Sequence, residues 1–232
     1  MNETYPVCES PFFRGQRGQT GQKRKAVSDM IKTIFEGCCA GAAIMMGCSV
    51  YLACGNTYVG AVLFSVALLC ICMQGYALFT GKVGYVVNDH SKKSLLELLG
   101  CLIGNALSTF LLGRLFACGL PALAEKAASL CAAKFEQLPL QTLIRAFGCG
   151  ILMYLAVNIF REKKSALGIL FCIPAFILSG FEHSIADMGY CAFGGAFSLR
   201  FILLVLAGNA LGSMLLPFLR LVGARFDKKL PE

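Results

Sequence analysis

The pattern of apolar and polar residues predicts an integral membrane protein that crosses the bilayer about six times. No charged residue occurs from Gly37 to Gly81, and this stretch is long enough for two crossings of about 20 residues each. A polar break, Gly55-Asn56-Thr57, lies near its middle, where a turn between two helices is expected. The predicted spans are 30–53, 58–81, 95–117, 138–160, 166–183 and 199–222.

Two of these spans and both chain ends depart from a plain apolar helix. The second span loses its apolar character at 78–81 and the fifth at 179–183, so both are predicted to be broken helices. Residues 1–27 are polar and basic and are predicted to form a flexible cytoplasmic tail. A single transmembrane domain is predicted for 28–223, followed by a cytoplasmic C-terminal tail at 224–232.

The two halves of the chain repeat one order of features. Gly104-Asn105 lies in the third span and Gly208-Asn209 in the sixth, and each follows a broken span. Three helices in each half give the halves opposite orientations, which predicts an inverted 3+3 repeat. Such repeats place a substrate path between the halves, lined by the broken helices. Close helix packing alone is the alternative explanation for the Gly-Asn pairs.

Composition and charge support the membrane assignment and predict its orientation. Hydrophobic residues make up 57% of the chain and charged residues 15%, against about 25% charged in soluble domains. The net charge is +8, and most basic residues lie in the tails and in the short loops on one side of the membrane. The loop at 121–136 is predicted to lie on the other, outer side, and its two lysines and two glutamates cancel. By the positive-inside rule both termini are cytoplasmic, in a cell inner (plasma) membrane. The charge therefore indicates topology, and no nucleic-acid partner is predicted.

The thirteen cysteines predict neither a disulfide framework nor a metal site. Most of them lie inside apolar runs, where cysteine behaves as a small hydrophobic residue. Cys38-Cys39 and Cys70-Ile71-Cys72 lack the paired spacing of a zinc site. No cofactor is predicted, and the chain is not expected to be an enzyme.

Candidate chemistry lies at the break in the fifth span. The segment 179–188 places Glu182, His183 and Asp187 within an otherwise apolar region. Ionisable groups at membrane depth are costly and usually face a cavity or a partner. A histidine there can donate a hydrogen bond to an anion or exchange a proton near neutral pH. The alternative is a loop at the membrane surface, where these residues are merely solvated.

These motifs resemble those of the formate/nitrite transporter family. Ser179–Met188 is similar to the family signature, which reads roughly SGFEHSIANM, and Leu78–Gly81 resembles its LFTG loop. Leu155-Ala156-Val157 resembles the CLAVW stretch of its fourth helix, and the Gly-Asn pairs match too. The resemblance covers about Ile31 to Leu221.

The resemblance implies an all-α, aquaporin-like fold with six helices, two of them broken, and a homopentamer with one pore per protomer. It implies a channel in the lipid bilayer for small monovalent anions (formate, nitrite or hydrosulfide), with pH-dependent or proton-coupled passage. The family's central histidine corresponds to His183, its neighbouring glutamate to Glu182, its loop threonine to Thr80 and its outer lysine to Lys134. Its hydrophobic constrictions correspond to Phe64, Leu68, Leu78, Phe79 and Phe176.

Plainer roles stay open for several of these residues. Thr80 could only cap a half-helix, Lys134 could be a solvated loop charge, and the constriction residues could be ordinary core or lipid-facing side chains. Arg145 is unusual inside a span and suits either snorkelling or a contact between subunits.

The chain departs from the family pattern at four positions, which bear on the substrate. Asp187 stands where the family motif has asparagine, and this extra carboxylate could repel an anion or pair with a cation. Ala77 replaces a glutamate, Gly150 an asparagine and Asn158 a tryptophan.

Two other functions compete with an anion channel. A neutral-solute channel of the aquaporin type would carry paired Asn-Pro-Ala motifs, which the sequence lacks. A membrane subunit of a redox complex would need ligands for its cofactor, and the two histidines, His90 and His183, cannot supply paired haem ligands.

Overall fold

A computed structural model describes the backbone of residues 11–227 and the side chains of residues 26–226. Within this part the protein is helical, and we number its α-helices in chain order. They are α1 Pro11–Ala53, α2 Thr57–Gln74, α3 Phe79–Lys82, α4 Lys92–Gly119, α5 Pro121–Phe135, α6 Pro139–Lys163, α7 Leu167–Leu178, α8 Ser184–Gly194 and α9 Leu199–Asp227. A 3₁₀ helix, Val83–Val87, follows α3 directly.

Among the residues that the structure describes, five helical segments are long and apolar enough to cross a membrane. They are Ala26–Ala53, Thr57–Gln74, Lys92–Gly119, Pro139–Lys163 and Leu199–Phe226, with mean hydropathies of 1.5 to 2.0. The remaining predicted span, at 166–183, is the fifth in chain order. It contains α7, and α8 follows it directly; with 12 and 11 residues, each helix is too short to cross about 30 Å of hydrocarbon alone.

Three predicted boundaries differ from the observed ones. The first helix begins at Pro11, so the backbone of 11–27 is helical where the sequence predicts a flexible tail; residues 1–10 lie outside the described part of the chain. The last helix runs on to Asp227. The predicted outer loop at 121–136 contains α5, which starts at Pro121, a residue favoured in the first turn because it needs no hydrogen-bond acceptor there.

Two glycines end the helices that precede the candidate site. Gly75 follows α2 with φ 74°, and Gly180 lies just after α7 with φ 67°. Residues with a β-carbon rarely adopt this left-handed conformation, so glycine ends a helix here at little cost. Each glycine is followed by a short non-helical segment, and Leu78 and His183 are then the N-cap residues of α3 and α8.

The long helices pack in two similar groups. Helix α1 packs against α4 and α2, and α6 packs against α9 and α7. The glycines of the Gly-Asn pairs make the main crossings possible, because a β-carbon on Gly104 would collide with the carbonyl of Ile34 and one on Gly208 would crowd Ala146. The outer surface carries large exposed apolar side chains, as expected of a face that contacts lipid or another subunit.

Candidate functional site

Asn105 of α4 holds the first non-helical segment in place. Its side-chain oxygen accepts the backbone N–H of Phe79 at 2.9 Å, and its amide nitrogen donates to the carbonyls of Ala77 at 2.8 Å and Gly37 at 2.9 Å. The asparagine is fully buried. Buried backbone groups without a partner in a helix need one elsewhere, and Asn105 supplies it for the Ala77 carbonyl and for the first N–H of α3. Its bond to Gly37 ties this segment to α1.

Asn209 of α9 makes the same three bonds in the second half of the chain. Its oxygen accepts the N–H of Ser184 at 2.8 Å, and its nitrogen donates to the carbonyls of Glu182 and Ala146, both at 2.8 Å. Each asparagine therefore joins the start of a short helix, the segment before it and a neighbouring long helix. This shared role explains the repeated Gly-Asn pair better than close packing alone.

The two held segments bring Thr80 and His183 together at the centre of the protein. Thr80 Oγ1 lies 2.9 Å from His183 Nε2, and both residues are buried. His183 Nδ1 accepts the backbone N–H of Ala186 at 3.1 Å and so caps α8. A neutral histidine that accepts at Nδ1 carries its proton on Nε2. Nε2 therefore donates to the Thr80 oxygen, and the Thr80 hydroxyl hydrogen can point elsewhere.

Aromatic rings lie directly against this pair. The ring of Phe176 stacks on His183 with centroids 5.8 Å apart, and Phe64 meets Phe176 edge-on at 6.3 Å. Leu68, Leu78 and Phe79 are buried nearby in the same core. Of the residues predicted as constrictions, the structure thus places Phe176 against His183 and Phe64 against Phe176.

Two cavities lie at opposite ends of the helix bundle. The first, of about 240 Å³, is lined by Phe64, Phe176 and His183 and reaches Tyr51 at the end of α1. The second, of about 480 Å³, is lined by Leu68, Leu78 and Glu97. Glu97 lies near the start of α4, and Lys93 in the same turn region pairs with Asp29 of α1 at 2.9 Å. Asp29 and Tyr51 lie at opposite ends of the α1 span, so the two cavities do as well. Phe79 lines neither cavity.

The first cavity contains a buried charge cluster. Lys134 of α5 forms ion pairs with Glu182 and, at 3.0 Å, with Asp187 Oδ1, while Gln137 donates to Glu182 at 2.6 Å. Both carboxylate side chains are 2% exposed and that of Lys134 15%, so this lysine is not a free surface charge. Asp187 Oδ2 is buried without a hydrogen-bond partner among the described residues. One ammonium group thus faces two carboxylates.

Sequence reasoning missed several residues of this cavity. Gln137, Tyr51 and Tyr190 line it, and so does Arg145. The only signal in the sequence was the position of Arg145 within an apolar span. The contacts of Gln137 depend on how α5 folds back onto the loop that carries Glu182, which no local pattern reveals.

Most of the charged residues that line the second cavity are cationic. Lys82, Arg161 and Lys164 line it together with Glu97. The Arg161 guanidinium lies over the Tyr85 ring, 4.1 Å from its centroid, which keeps it at the cavity wall. The Tyr85 hydroxyl donates to Asn158 Oδ1 at 3.2 Å. Asn158 is one of the residues that depart from the family pattern.

Two other departures have a structural explanation. Gly150 lies where α6 meets α9, and a β-carbon there would collide with the carbonyl of Asn209. The resulting close approach puts Ser213 Oγ 3.0 Å from the Gly150 carbonyl oxygen and 3.3 Å from that of Thr80, so its one hydroxyl hydrogen can be shared between them. Ala77 is fully buried, and its carbonyl accepts from Asn105.

Comparison with known proteins agrees with this architecture. The family model described as formate/nitrite transporter matches residues 16–223, nearly the whole chain. The chain belongs to the formate/nitrite transporter family. It is therefore a multi-pass membrane protein of a transporter family, and its motifs at 78–81 and 179–188 are those by which the sequence resembles that family.

Two solved structures of this family type share the fold. A pentameric formate channel with formate bound has a TM-score of 0.68 at 20% identity, covering 88% of this chain and 99% of the other. An FNT family ion channel also has a TM-score of 0.68, at 22% identity, covering 88% and 92%. A formate-nitrite transporter of Plasmodium ovale is 28% identical over 184 residues. The match covers 67% of this chain and 59% of that relative's length.

Proposed function

We propose that this protein is a channel for small monovalent anions, with formate, nitrite and hydrosulfide as candidate substrates. The observation that carries the proposal is the buried Thr80–His183 pair, which lies among aromatic rings between two cavities at opposite ends of the bundle. A hydrogen-bond donor in a dry constriction stabilises an anion where water is absent.

The proposed architecture is an aquaporin-like inverted repeat of six crossings. Helix α2 with α3, and α7 with α8, would each form one broken crossing, and α1, α4, α6 and α9 the other four. The equivalent hydrogen bonds of Asn105 and Asn209, and the equivalent positive-φ glycines, support this pairing of the halves. The pentameric formate channel with the same fold supports a homopentamer with one pore per protomer.

The proposed orientation places the second cavity on the cytoplasmic side of an inner (plasma) membrane. Lys82, Arg161 and Lys164 lie at that cavity, and Lys93 lies at the same end of the bundle. Cytoplasmic loops carry an excess of lysine and arginine. The end with Lys134 would then face outward, and the N-terminal segment would be cytoplasmic.

We place the substrate path along a short series of residues. An anion would enter the first cavity, pass Phe64 and Phe176, accept a hydrogen bond from Thr80 and leave through Leu68 and Leu78. A bare charge between these apolar side chains is costly, and a neutral acid less so. If the anion is the base of a weak acid, flux should rise as the pH falls and the neutral form becomes more abundant.

The proposed role of His183 is to polarise Thr80 while it stays neutral. Protonation of Nδ1 would replace an acceptor by a donor and remove the bond that caps α8 at Ala186. Loss of an N-cap costs about 1 kcal/mol, and burial of the new charge costs more. Glu182 contacts Lys134 and Gln137 rather than the imidazole in this arrangement, so its proposed role is to fix the outer charge cluster.

The test is stopped-flow uptake in proteoliposomes, with formate, nitrite and hydrosulfide measured separately between about pH 5 and pH 8. Thr80→Val, which removes the hydroxyl at constant shape, should lower flux about tenfold or more. Thr109→Val is the matched control, because the Thr109 hydroxyl bonds only to carbonyls of its own helix. Pentameric wild-type protein that passes none of the anions, or that passes only neutral solutes in swelling assays, would refute the proposal.

A further inference from the structure

The arginine within an apolar span lies at the first cavity. Arg145 belongs to α6, whose segment Pro139–Lys163 is one of the membrane-span candidates, and it lines the cavity together with His183. The backbone N–H of Glu182 approaches the Arg145 carbonyl at 3.4 Å, so this turn of α6 lies against the loop that carries the histidine. An arginine at membrane depth is costly unless it faces water, a cavity or a partner.

The other cation of this cavity is already neutralised. Lys134 pairs with both Glu182 and Asp187, so the cluster of these three residues has one more carboxylate than ammonium groups. In the part of the chain that the structure describes, the Arg145 side chain forms no ion pair and no hydrogen bond, and the residue is exposed. Arg145 is thus the cation of the cavity lining whose charge is available for a ligand.

We propose that Arg145 is an anion-binding residue of the first cavity that selects ligands with two coplanar oxygens. A guanidinium presents parallel N–H donors that match a carboxylate in a bidentate way, whereas an ammonium acts as a point charge. Formate, larger carboxylates and nitrite can use both donors. Hydrosulfide and chloride have a single acceptor atom and cannot. The substrate class in this inference rests on the proposed function, but the binding site does not require conduction.

The presence of Asp187 gives a reason for such a residue. With two carboxylates around it, Lys134 adds no net positive charge to the cavity. Arg145 adds one to the lining of the same cavity, which brings the four charged groups to balance. An anion that enters would then displace no existing ion pair, since Lys134 keeps both of its partners.

Ligand binding to the purified pentamer in detergent tests the inference without relying on flux. The probe is ¹³C-formate, whose line broadening is followed by NMR, with chloride as the competing single-centre anion. Charge-assisted hydrogen bonds contribute about 1.5–3 kcal/mol, so Arg145→Gln should weaken formate binding about tenfold or more. Arg145→Lys keeps the charge but loses the parallel N–H donors, so it should weaken formate binding about fivefold. The affinity for chloride, measured by competition, should stay unchanged.

Arg200→Gln is the matched control. Arg200 is an exposed arginine in the first turn of α9 and does not line the cavity, so its variant should bind formate as the wild type does. Formate binding by Arg145→Gln at wild-type strength would overturn the site. Undiminished binding by Arg145→Lys would overturn the selection by geometry.

Two further outcomes separate this inference from the proposed function. Wild-type protein that binds formate through Arg145 but conducts no anion would refute the channel and leave the binding residue standing. Loss of the pentamer in Arg145→Gln, measured by native mass spectrometry, together with unchanged formate binding by the remaining protomers, would show a subunit contact instead and overturn the inference.

Discussion

Lys134 and Asp187 form an ion pair at 3.0 Å between α5 and α8, inside the first cavity. The same lysine pairs with Glu182, so Asp187 adds a second carboxylate to one ammonium group. Since the family motif that the sequence resembles has asparagine at this position, the pair changes the electrostatic potential at the proposed entrance without changing the shape of the side chain.

Asp187→Asn should therefore strengthen anion uptake. A unit charge about 8 Å from an anion, at an effective dielectric constant of about 20, is worth about 2 kcal/mol before screening by salt. We expect the half-saturating formate concentration in proteoliposomes to fall about threefold or more. Glu125→Gln removes one charge from an exposed position of the same α5 and should have little effect. Equal effects of the two variants would show that only the overall charge matters.

Asp187→Asn should also compensate for the loss of Arg145. The double variant Asp187→Asn/Arg145→Gln gives Lys134 a single carboxylate partner, and the cavity regains the balance of charges that the single Arg145→Gln variant loses. We expect the double variant to recover only the part of the formate affinity that depends on charge, because the paired N–H donors of Arg145 stay absent; the NMR titration measures this. Strictly additive effects of the two substitutions would argue against a shared electrostatic role.

Asn209→Ala should destabilise the protein far more than an ordinary polar truncation. It leaves the N–H of Ser184 and the carbonyls of Ala146 and Glu182 without their partner. A buried unsatisfied group costs about 1–3 kcal/mol, so we expect the free energy of unfolding to fall by about 3 kcal/mol or more. Thermal unfolding followed by circular dichroism measures this change.

The control for Asn209→Ala is Asn158→Ala, which removes one partly buried bond from Tyr85. It should lower the unfolding temperature only slightly. If both variants lost the same stability, the role of Asn209 in holding the segment before α8 would be wrong.

His183→Asn should lower flux by a similar factor at every pH. Asparagine can still cap α8, but it lacks the ring that carries an N–H to Thr80. Because the proposed histidine stays neutral, its removal should not shift the pH at which uptake is half-maximal. Stopped-flow uptake of formate between about pH 5 and pH 8 measures this, and a shifted profile would instead make His183 a proton-exchanging group.

Gly150→Ala should destabilise the crossing of α6 and α9. The added β-carbon would meet the Asn209 carbonyl, and the crossing can relieve this only by separating the helices. Gly223→Ala is the control, because no atom lies within 4 Å of a β-carbon built at Gly223. We expect a lower unfolding temperature for Gly150→Ala alone. A tolerated Gly150→Ala would show that the absence of asparagine at this position is unrelated to packing.

The sequence by itself determined the class of this protein and the segments that form its candidate site. The stretch from Gly37 to Gly81 has no charged residue and is long enough for two membrane crossings. Because charge is costly to bury in lipid, this pattern indicates membrane spans before any fold is known. The motif at 179–188 and the paired Gly-Asn residues also marked the segments that meet at the centre. Such features are local, so a linear pattern records them.

The tertiary structure decided which groups face one another. Thr80 and His183 are 103 positions apart, yet they meet because Asn105 and Asn209 hold their segments in place. The folding of α5 onto the same region pairs Lys134 with two carboxylates, where a solvated loop charge was the alternative prediction, and α6 places Arg145 at the same cavity. Electrostatic roles depend on distances of a few ångströms between remote segments, and no sequence spacing carries that information.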